Sequence, residues 1–239
     1  MSIPKLSANF EAMTHVLIIA ATDFEVQGLR NYLSTYYQHM GNHVFKKDKY
    51  QITLAYTGIG LVATSYHLSK IIAAGQPDVV VQLGIAGVYQ RNMALGTVVQ
   101  VKHDQIADMG AIAKDGTFLN ISAMGLSEPS AALFTTTPPL YFQKTVATLP
   151  KALGLSVNCI TGKPEQSSLH PTEGIDYDCI IESMEGAAMH YVCAQENIPC
   201  LQLRSLSNYV EPRDKSQWQL KLAIDNLNSF ALTLLENIP

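Results

Sequence analysis

The residues best suited to chemistry lie in one short segment, IESMEGAA (residues 181–188), where an apolar run gives way to small residues. An acid at such a strand-to-helix junction, Glu185, is carried to the carboxyl edge of a sheet. There its carboxylate can accept hydrogen bonds from vicinal hydroxyls of a ligand, although the helix dipole favours an acid at that place on structural grounds alone. Two glycine patterns lead to the same edge: YTGIG (residues 56–60) and LGIAG (residues 83–87), the second ending the apolar run DVVVQL. Glycine at the end of a strand lets backbone approach a ligand closely, which makes Ile85 and Gly87 candidate binding residues.

An α/β framework is needed to hold these groups. Residues 16–21 (VLIIAA) are an apolar, β-branched run of the kind buried on both faces of a sheet, followed by Thr22-Asp23 as a helix N-cap and an amphipathic stretch over 24–37. Residues 44–45 and 51–56 flank a Lys-Lys-Asp-Lys turn and read as a hairpin. GIG then opens a helix over 61–74, ended by Gly75 and Pro77. Strands are expected at 78–83, 97–101, 155–161, 179–182 and 200–206, and helices at 140–149 and 186–195. Asp214 is expected to cap a long C-terminal helix with Trp218, Leu222, Leu227, Phe230 and Leu234 on its apolar side. Residues 107–150 loosen into a Gly-, Thr- and Pro-rich region. With no internal repeat or linker, the expectation is one α/β domain over 16–239 preceded by an N-terminal extension over 1–15.

Composition excludes several classes. The 239 residues are 47% hydrophobic and only 15% charged, against about 25% in an ordinary globular chain. Either the core is large, or part of the surface is buried against another subunit. A net charge of −4 without a basic stripe argues against nucleic acid, and no run reaches the roughly 18 apolar residues of a membrane span. No apolar leader precedes Val16, so a cytoplasmic protein is expected. Cys159, Cys179, Cys193 and Cys200 show no CxxC spacing, and His103, His170 and His190 lack metal-ligand spacing. Reduced thiols are expected, with no metal and no cofactor.

The order VLIIAATDFEV, YTGIG, LGIAG, a GTVV strand, ESMEGAA and RSLSN resembles the nucleoside phosphorylase and nucleosidase superfamily from about residue 16 onward. The resemblance implies cleavage of the N-glycosidic bond of a purine nucleoside, in a three-layer α/β/α fold with a central mixed, partly barrel-like sheet, and a homo-oligomer. The superfamily's methylthioadenosine/adenosylhomocysteine nucleosidases carry a MEEEV-type segment whose last acid helps activate water; its counterpart here is Glu25 in TDFEV. Their MEA segment sets a methionine beneath the ribose and a glutamate on its hydroxyls, which matches Met184 and Glu185. Non-enzymatic storage proteins share the fold, but there both acids would be expected to be degraded, and here both are intact.

The resemblance also marks a departure. The adenine-specific enzymes protonate N7 of the base with the aspartate of an ISD segment, whereas this chain has Leu206-Ser207-Asn208. A carboxylic acid can donate to N7 and accept from the amine of adenine, but it meets an acceptor when the base carries a 6-oxo group. An asparagine amide can donate to that oxygen and accept from a protonated N7–H, which suits a 6-oxopurine. ESMEGAA together with SNYVEPRDKSQW is most similar to the futalosine hydrolases, which release hypoxanthine from futalosine in menaquinone biosynthesis. Phosphorolytic relatives need arginines where this chain has residues 22–24 and Gln82-Leu83, so water is the expected nucleophile. Ser207 falls beside Asn208 in the expected base site. Arg213 and Trp218 are candidates by position for an aromatic carboxylate on the substrate; equally, Arg213 could open a surface helix and Trp218 could pack in the core or an interface. Arg204 is expected to pair with a buried acid such as Glu182. Alternatives are a methylthioadenosine/adenosylhomocysteine nucleosidase and a purine nucleoside phosphorylase.

Overall fold

The computed structural model of the chain describes residues 13–127, 133–135, 137–162, 176–211 and 214–238. In chain order the elements are β1 (Thr14–Ala20), α1 (Asp23–Tyr36), β2 (Gln38–His39), β3 (Val44–Lys47), β4 (Tyr50–Tyr56), α2 (Leu61–Ala74), β5 (Val79–Val88) and β6 (Val98–Ile106). There follow β7 (Gly110–Ile112), β8 (Phe118–Asn120), β9 (Leu133–Thr135), α3 (Leu140–Val146), β10 (Lys151–Ser156), β11 (Cys179–Ser183), α4 (Gly186–Gln195), β12 (Cys200–Tyr209) and α5 (Leu220–Glu236).

The large sheet runs β11-β10-β6-β12-β5-β1-β4-β3-β2, and β11 also pairs with β5. That extra pairing closes five strands into a ring, the barrel-like part of the sheet. The ten residues of β5 make it possible: its first part lies parallel to β1 and β12, and its last two residues pair antiparallel with β11, Glu182 opposite Gly87 and Ile181 opposite Val88.

Helices cover both faces, as the apolar strands require. Val16, Ile18 and Ala20 of β1 join the core beneath α1 and α5, while Leu17 and Ile19, one step out of phase, join the core beneath α2 and α4. The two-residue repeat of a strand explains the division, and each fully buried aliphatic side chain contributes roughly 1.5–3 kcal/mol. The expected three-layer α/β/α architecture with its mixed, partly barrel-like sheet is the observed one.

Several boundaries differ from the sequence reading. β1 begins at Thr14, inside the expected extension. β10 covers Lys151–Ser156 instead of 155–161, and Gly154 within it reads in sequence as a boundary although it serves as a gap. A Cβ there would collide with the Asp104 carboxylate and come within 2.9 Å of Val101. Asp214 caps a 3-10 turn over Lys215–Gln217, accepting from Ser216 N at 2.9 Å, and α5 starts only at Leu220. Trp218 therefore lies outside the helix and Leu222 is exposed; the core side of α5 is Ala223, Ile224, Leu227, Ala231, Leu234 and Leu235. Among the described residues no helix is long and apolar enough to cross a membrane.

Candidate active site

A cavity of about 250 Å3 opens where the carboxyl ends of β1, β5 and β12 meet the end of β11. Its wall includes Glu25, Ile85, Gly87, Met184, Glu185, Ser207, Asn208 and Trp218, so the structure brings together every candidate of the sequence reading except Arg213, which lies outside the described residues.

Glu25 reaches the cavity through a defect in its own helix. As the third residue after the Thr22 cap, its Oε2 accepts from Thr22 N at 3.2 Å and Thr22 Oγ1 at 3.3 Å, the reverse half of a capping box. Its Oε1 accepts from Ile85 N at 3.1 Å, which ties α1 to the end of β5. At the next residue, Val26, the backbone leaves helical geometry (φ −126°, ψ 18°). The bond that Leu29 N would give to Glu25 O is replaced by the Asn228 side chain of α5, whose Oδ1 accepts from Leu29 N at 2.7 Å and whose Nδ2 donates to Glu25 O at 2.9 Å. An amide has one donor and one acceptor end, so it bridges an opened rung without leaving a polar group unpaired. Gly28 makes room for it, since a Cβ there would lie 3.2 Å from Asn228 Cγ. Burial pushes the Glu25 carboxyl above its ordinary range and the nearby Glu185 adds to this, while Arg204 and the N–H groups of Ile85 and Thr22 pull the other way.

Glu185 is held from two sides. Gly60 N donates to its Oε1 at 3.2 Å from the glycine loop before α2, where φ of +92° at Gly60 suits glycine alone. Both terminal nitrogens of Arg204 donate to Oε2 at 3.3 Å. Gly84 lets the guanidinium pass, because any Cβ at that position would collide with it. Arg204 thus pairs with Glu185 and not, as the sequence suggested, with Glu182. Register explains the correction: Arg204 lies opposite Gly84 of β5 and Glu182 opposite Gly87, three residues or about 10 Å along the strand. Glu182 instead accepts from the Tyr89 hydroxyl at 3.0 Å and from Thr161 N at 2.9 Å.

At the far end of the cavity the β12 register shifts between Leu206 and Asn208, so that the buried Ser207 and its neighbour both reach the lining. The Asn208 amide has a defined orientation. Its Nδ2 donates to Tyr209 O at 3.0 Å and its Oδ1 accepts from Ser207 Oγ at 2.8 Å; turned over, it would set oxygen against a carbonyl. One N–H and one lone-pair direction remain free on it for a ligand.

Behind the charged end lies a polar layer that sequence reasoning missed. Asp104 is fully buried, and its Oδ1 accepts from Ser156 Oγ at 2.8 Å. Ser156 Oγ in turn accepts from Ala187 N in the first turn of α4 at 2.9 Å, and Gln202 lies against both Asp104 and His190. Burial drives the Asp104 carboxyl up to about 6 and the His190 imidazole down to about 4. The lone acid in VVQVKHDQI was the available signal, but nothing in sequence distinguishes an inward acid from a solvated one. Ile160, in the loop after β10, and Asn228 of α5 were missed because only tertiary packing brings them to the site.

Comparison with known proteins places this geometry. The family model described as the phosphorylase superfamily matches residues 15–236. Futalosine hydrolase of Thermus thermophilus is 30% identical over 174 residues, covering 72% of this chain and 75% of that protein. Futalosine hydrolase of Streptomyces coelicolor is 30% identical over 158 residues, covering 63% and 62%. Among solved structures, a 5'-methylthioadenosine/S-adenosyl homocysteine nucleosidase of Helicobacter pylori superposes with a TM-score of 0.77 at 18% identity, covering 95% of this chain and 100% of that chain. The chain belongs to the phosphorylase superfamily.

Proposed function

We infer that the chain is an N-glycosidase that hydrolyses a 6-oxopurine nucleoside, futalosine, to hypoxanthine and dehypoxanthine futalosine, a step of menaquinone biosynthesis. The observation that carries this reading is the fixed Asn208 amide sharing a cavity with Glu25 and Glu185. The kinship with two futalosine hydrolases supports it. Among the described residues the lining holds three carboxylates, Glu25, Glu182 and Glu185, and no lysine or arginine. Such a wall repels a phosphate dianion and leaves water as the nucleophile.

Each group takes a role suited to its surroundings. Hydrolysis of the glycosidic bond builds positive charge on the ribose and negative charge on the departing base. Glu25, its carboxyl raised towards neutrality by burial, takes a proton from the attacking water. Glu185, kept in place by Arg204 and Gly60 N, accepts from the ribose hydroxyls, with Met184 beside it. Asn208, steadied by Ser207, donates to O6 and accepts from N7–H of the base. Backbone at Ile85 and Gly87 lets substrate approach, and Trp218 offers an apolar wall to the non-purine end, with Arg213 its proposed cation. No metal or cofactor is assigned a part.

The rival is an adenine-releasing nucleosidase, favoured by the fold shared with the Helicobacter pylori enzyme. Release of hypoxanthine from futalosine, measured beside release of adenine from methylthioadenosine in phosphate-free buffer, decides between them. Preference for methylthioadenosine overturns the proposal, and strict dependence on phosphate would assign a phosphorylase.

The single domain expected over 16–239 is proposed to start at Thr14, where β1 begins, and the four free thiols, three of them buried, support a cytoplasmic setting. A homo-oligomer is proposed on the apolar surface that α2, α4 and the end of β6 share, where Val62 is 82%, Tyr66 62% and Tyr191 50% exposed. Val62→Glu with Tyr66→Glu should halve the mass seen by sedimentation velocity, and an unchanged mass would point to another face.

A further inference from the structure

Glu182 is a carboxylate that the hydrolysis described above leaves unused. It is buried, 5% exposed, yet lines the cavity. The buried cation Arg204 is engaged with Glu185. The Tyr89 hydroxyl and Thr161 N occupy one acceptor direction on each Glu182 oxygen. A carboxylate offers about four such directions, so the group is oriented but not saturated.

Its place in the sheet says what it faces. Glu182 of β11 and Asn208 of β12 both lie opposite Gly87 of the strand between them. Residues directly opposite one another carry their side chains to the same face, and two strand spacings separate the outer pair by roughly 9–10 Å. Between them Gly87 contributes no side chain; a Cβ there would lie 3.0 Å from Val210 Cγ2 and 3.1 Å from Asn208 Nδ2. Acid and amide thus stand at either end of an open strip of backbone.

The polar edge of a 6-oxopurine carries N7, O6 and N1–H in that order. An amide can serve the first two, and the third requires an acceptor. We propose that Glu182 determines base specificity by accepting the N1–H of a 6-oxopurine across the Gly87 gap from Asn208. This rests on the 6-oxopurine reading above. In a 6-aminopurine N1 is itself an acceptor, so its lone pair would face the carboxylate, and a buried polar group left unpaired is what makes such sites selective.

Binding of free bases by titration calorimetry tests the assignment, with hypoxanthine, 1-methylhypoxanthine and adenine as probes. The wild-type chain should bind hypoxanthine about tenfold to a hundredfold more tightly than either of the others, the range expected for a hydrogen bond to a charged group. In Glu182→Gln, whose amide can turn to donate to N1, the hypoxanthine-to-adenine ratio should fall at least about tenfold. In Glu182→Ala the penalty for the N1 methyl should vanish. Equal wild-type binding of hypoxanthine and 1-methylhypoxanthine would overturn the proposal even if neither variant folds. A hypoxanthine preference that survives unchanged in Glu182→Gln would overturn the role of Glu182 while leaving the 6-oxopurine reading intact. A wild-type preference for adenine would overturn that reading, and this inference with it.

Discussion

At one end of the cavity Glu25, Glu185 and Arg204 are buried against one another, and their charges meet across side chains. At the other end Asn208 is held by a backbone carbonyl and the Ser207 hydroxyl, and Glu182 by a backbone N–H and a tyrosine hydroxyl. The first arrangement stores electrostatic free energy, since desolvated charges interact strongly and respond to any change in a neighbour. The second stores orientation: its groups are turned to face a ligand and could be exchanged without stranding a charge. Rate should therefore depend on the first end and choice of base on the second.

The largest effect should come from Glu25→Gln, which keeps shape and removes the proton acceptor. Turnover should fall about 10²- to 10⁴-fold while hypoxanthine still binds by calorimetry. In the parent enzyme the acid limb of the pH–rate profile should lie above the ordinary carboxylate range, because burial raises the group that must be ionised. Unchanged turnover in the variant would take Glu25 out of the mechanism.

A somewhat smaller effect concerns the layer behind the charged end. Asp104, raised to about 6, holds its proton in the folded chain where the unfolded chain has lost it, so its contribution to stability falls as pH rises from about 4 to 6. His190, lowered to about 4, has the opposite sign: its contribution rises from about pH 4 to 6.5. Each amounts to about 3 kcal/mol over the window, and the two offset one another. Asp104→Asn should make stability climb with pH relative to the parent chain, and His190→Gln should make it decline. Urea midpoints between pH 4 and 7 read both slopes, and parallel curves for all three proteins would contradict the compensation.

The smallest effect, and the one confined to the base end, is Asn208→Asp. Activity on the 6-oxopurine nucleoside should drop roughly tenfold as the acid meets O6, with less change on an adenine nucleoside. A rise on the 6-oxopurine would contradict the pairing of amide and base.

Much of this was legible in the residues, for a physical reason. Short apolar strands, glycine loops and the acids next to them are local features, and β1, β5, β12 and the ESMEGAA turn lie close to where the pattern sets them. What sequence could not give was anything decided by register between distant strands. Arg204 found Glu185 and not Glu182 because of a three-residue offset along β5, and the ring closed through a pairing of β11 with β5 that no periodicity announces. The phase of α5 was misread because Leu222 covers the loop at Gly96 instead of facing the core. Trp218 reached the lining from outside that helix, in the turn before it.

The side chain of Asn228 in the opened rung of α1 has a bearing on how the protein is made. Glu25 and Asn228 are separated by 203 positions, so at an elongation rate of about 5–20 residues per second the acid is synthesised roughly 10–40 s before the amide that completes its helix. During synthesis the first helix lacks the insert that replaces its missing rung, and the carboxylate proposed to activate water should take its place only when the last helix docks. Nascent chains should then be inactive towards nucleosides, with activity starting at the final folding event instead of growing with chain length.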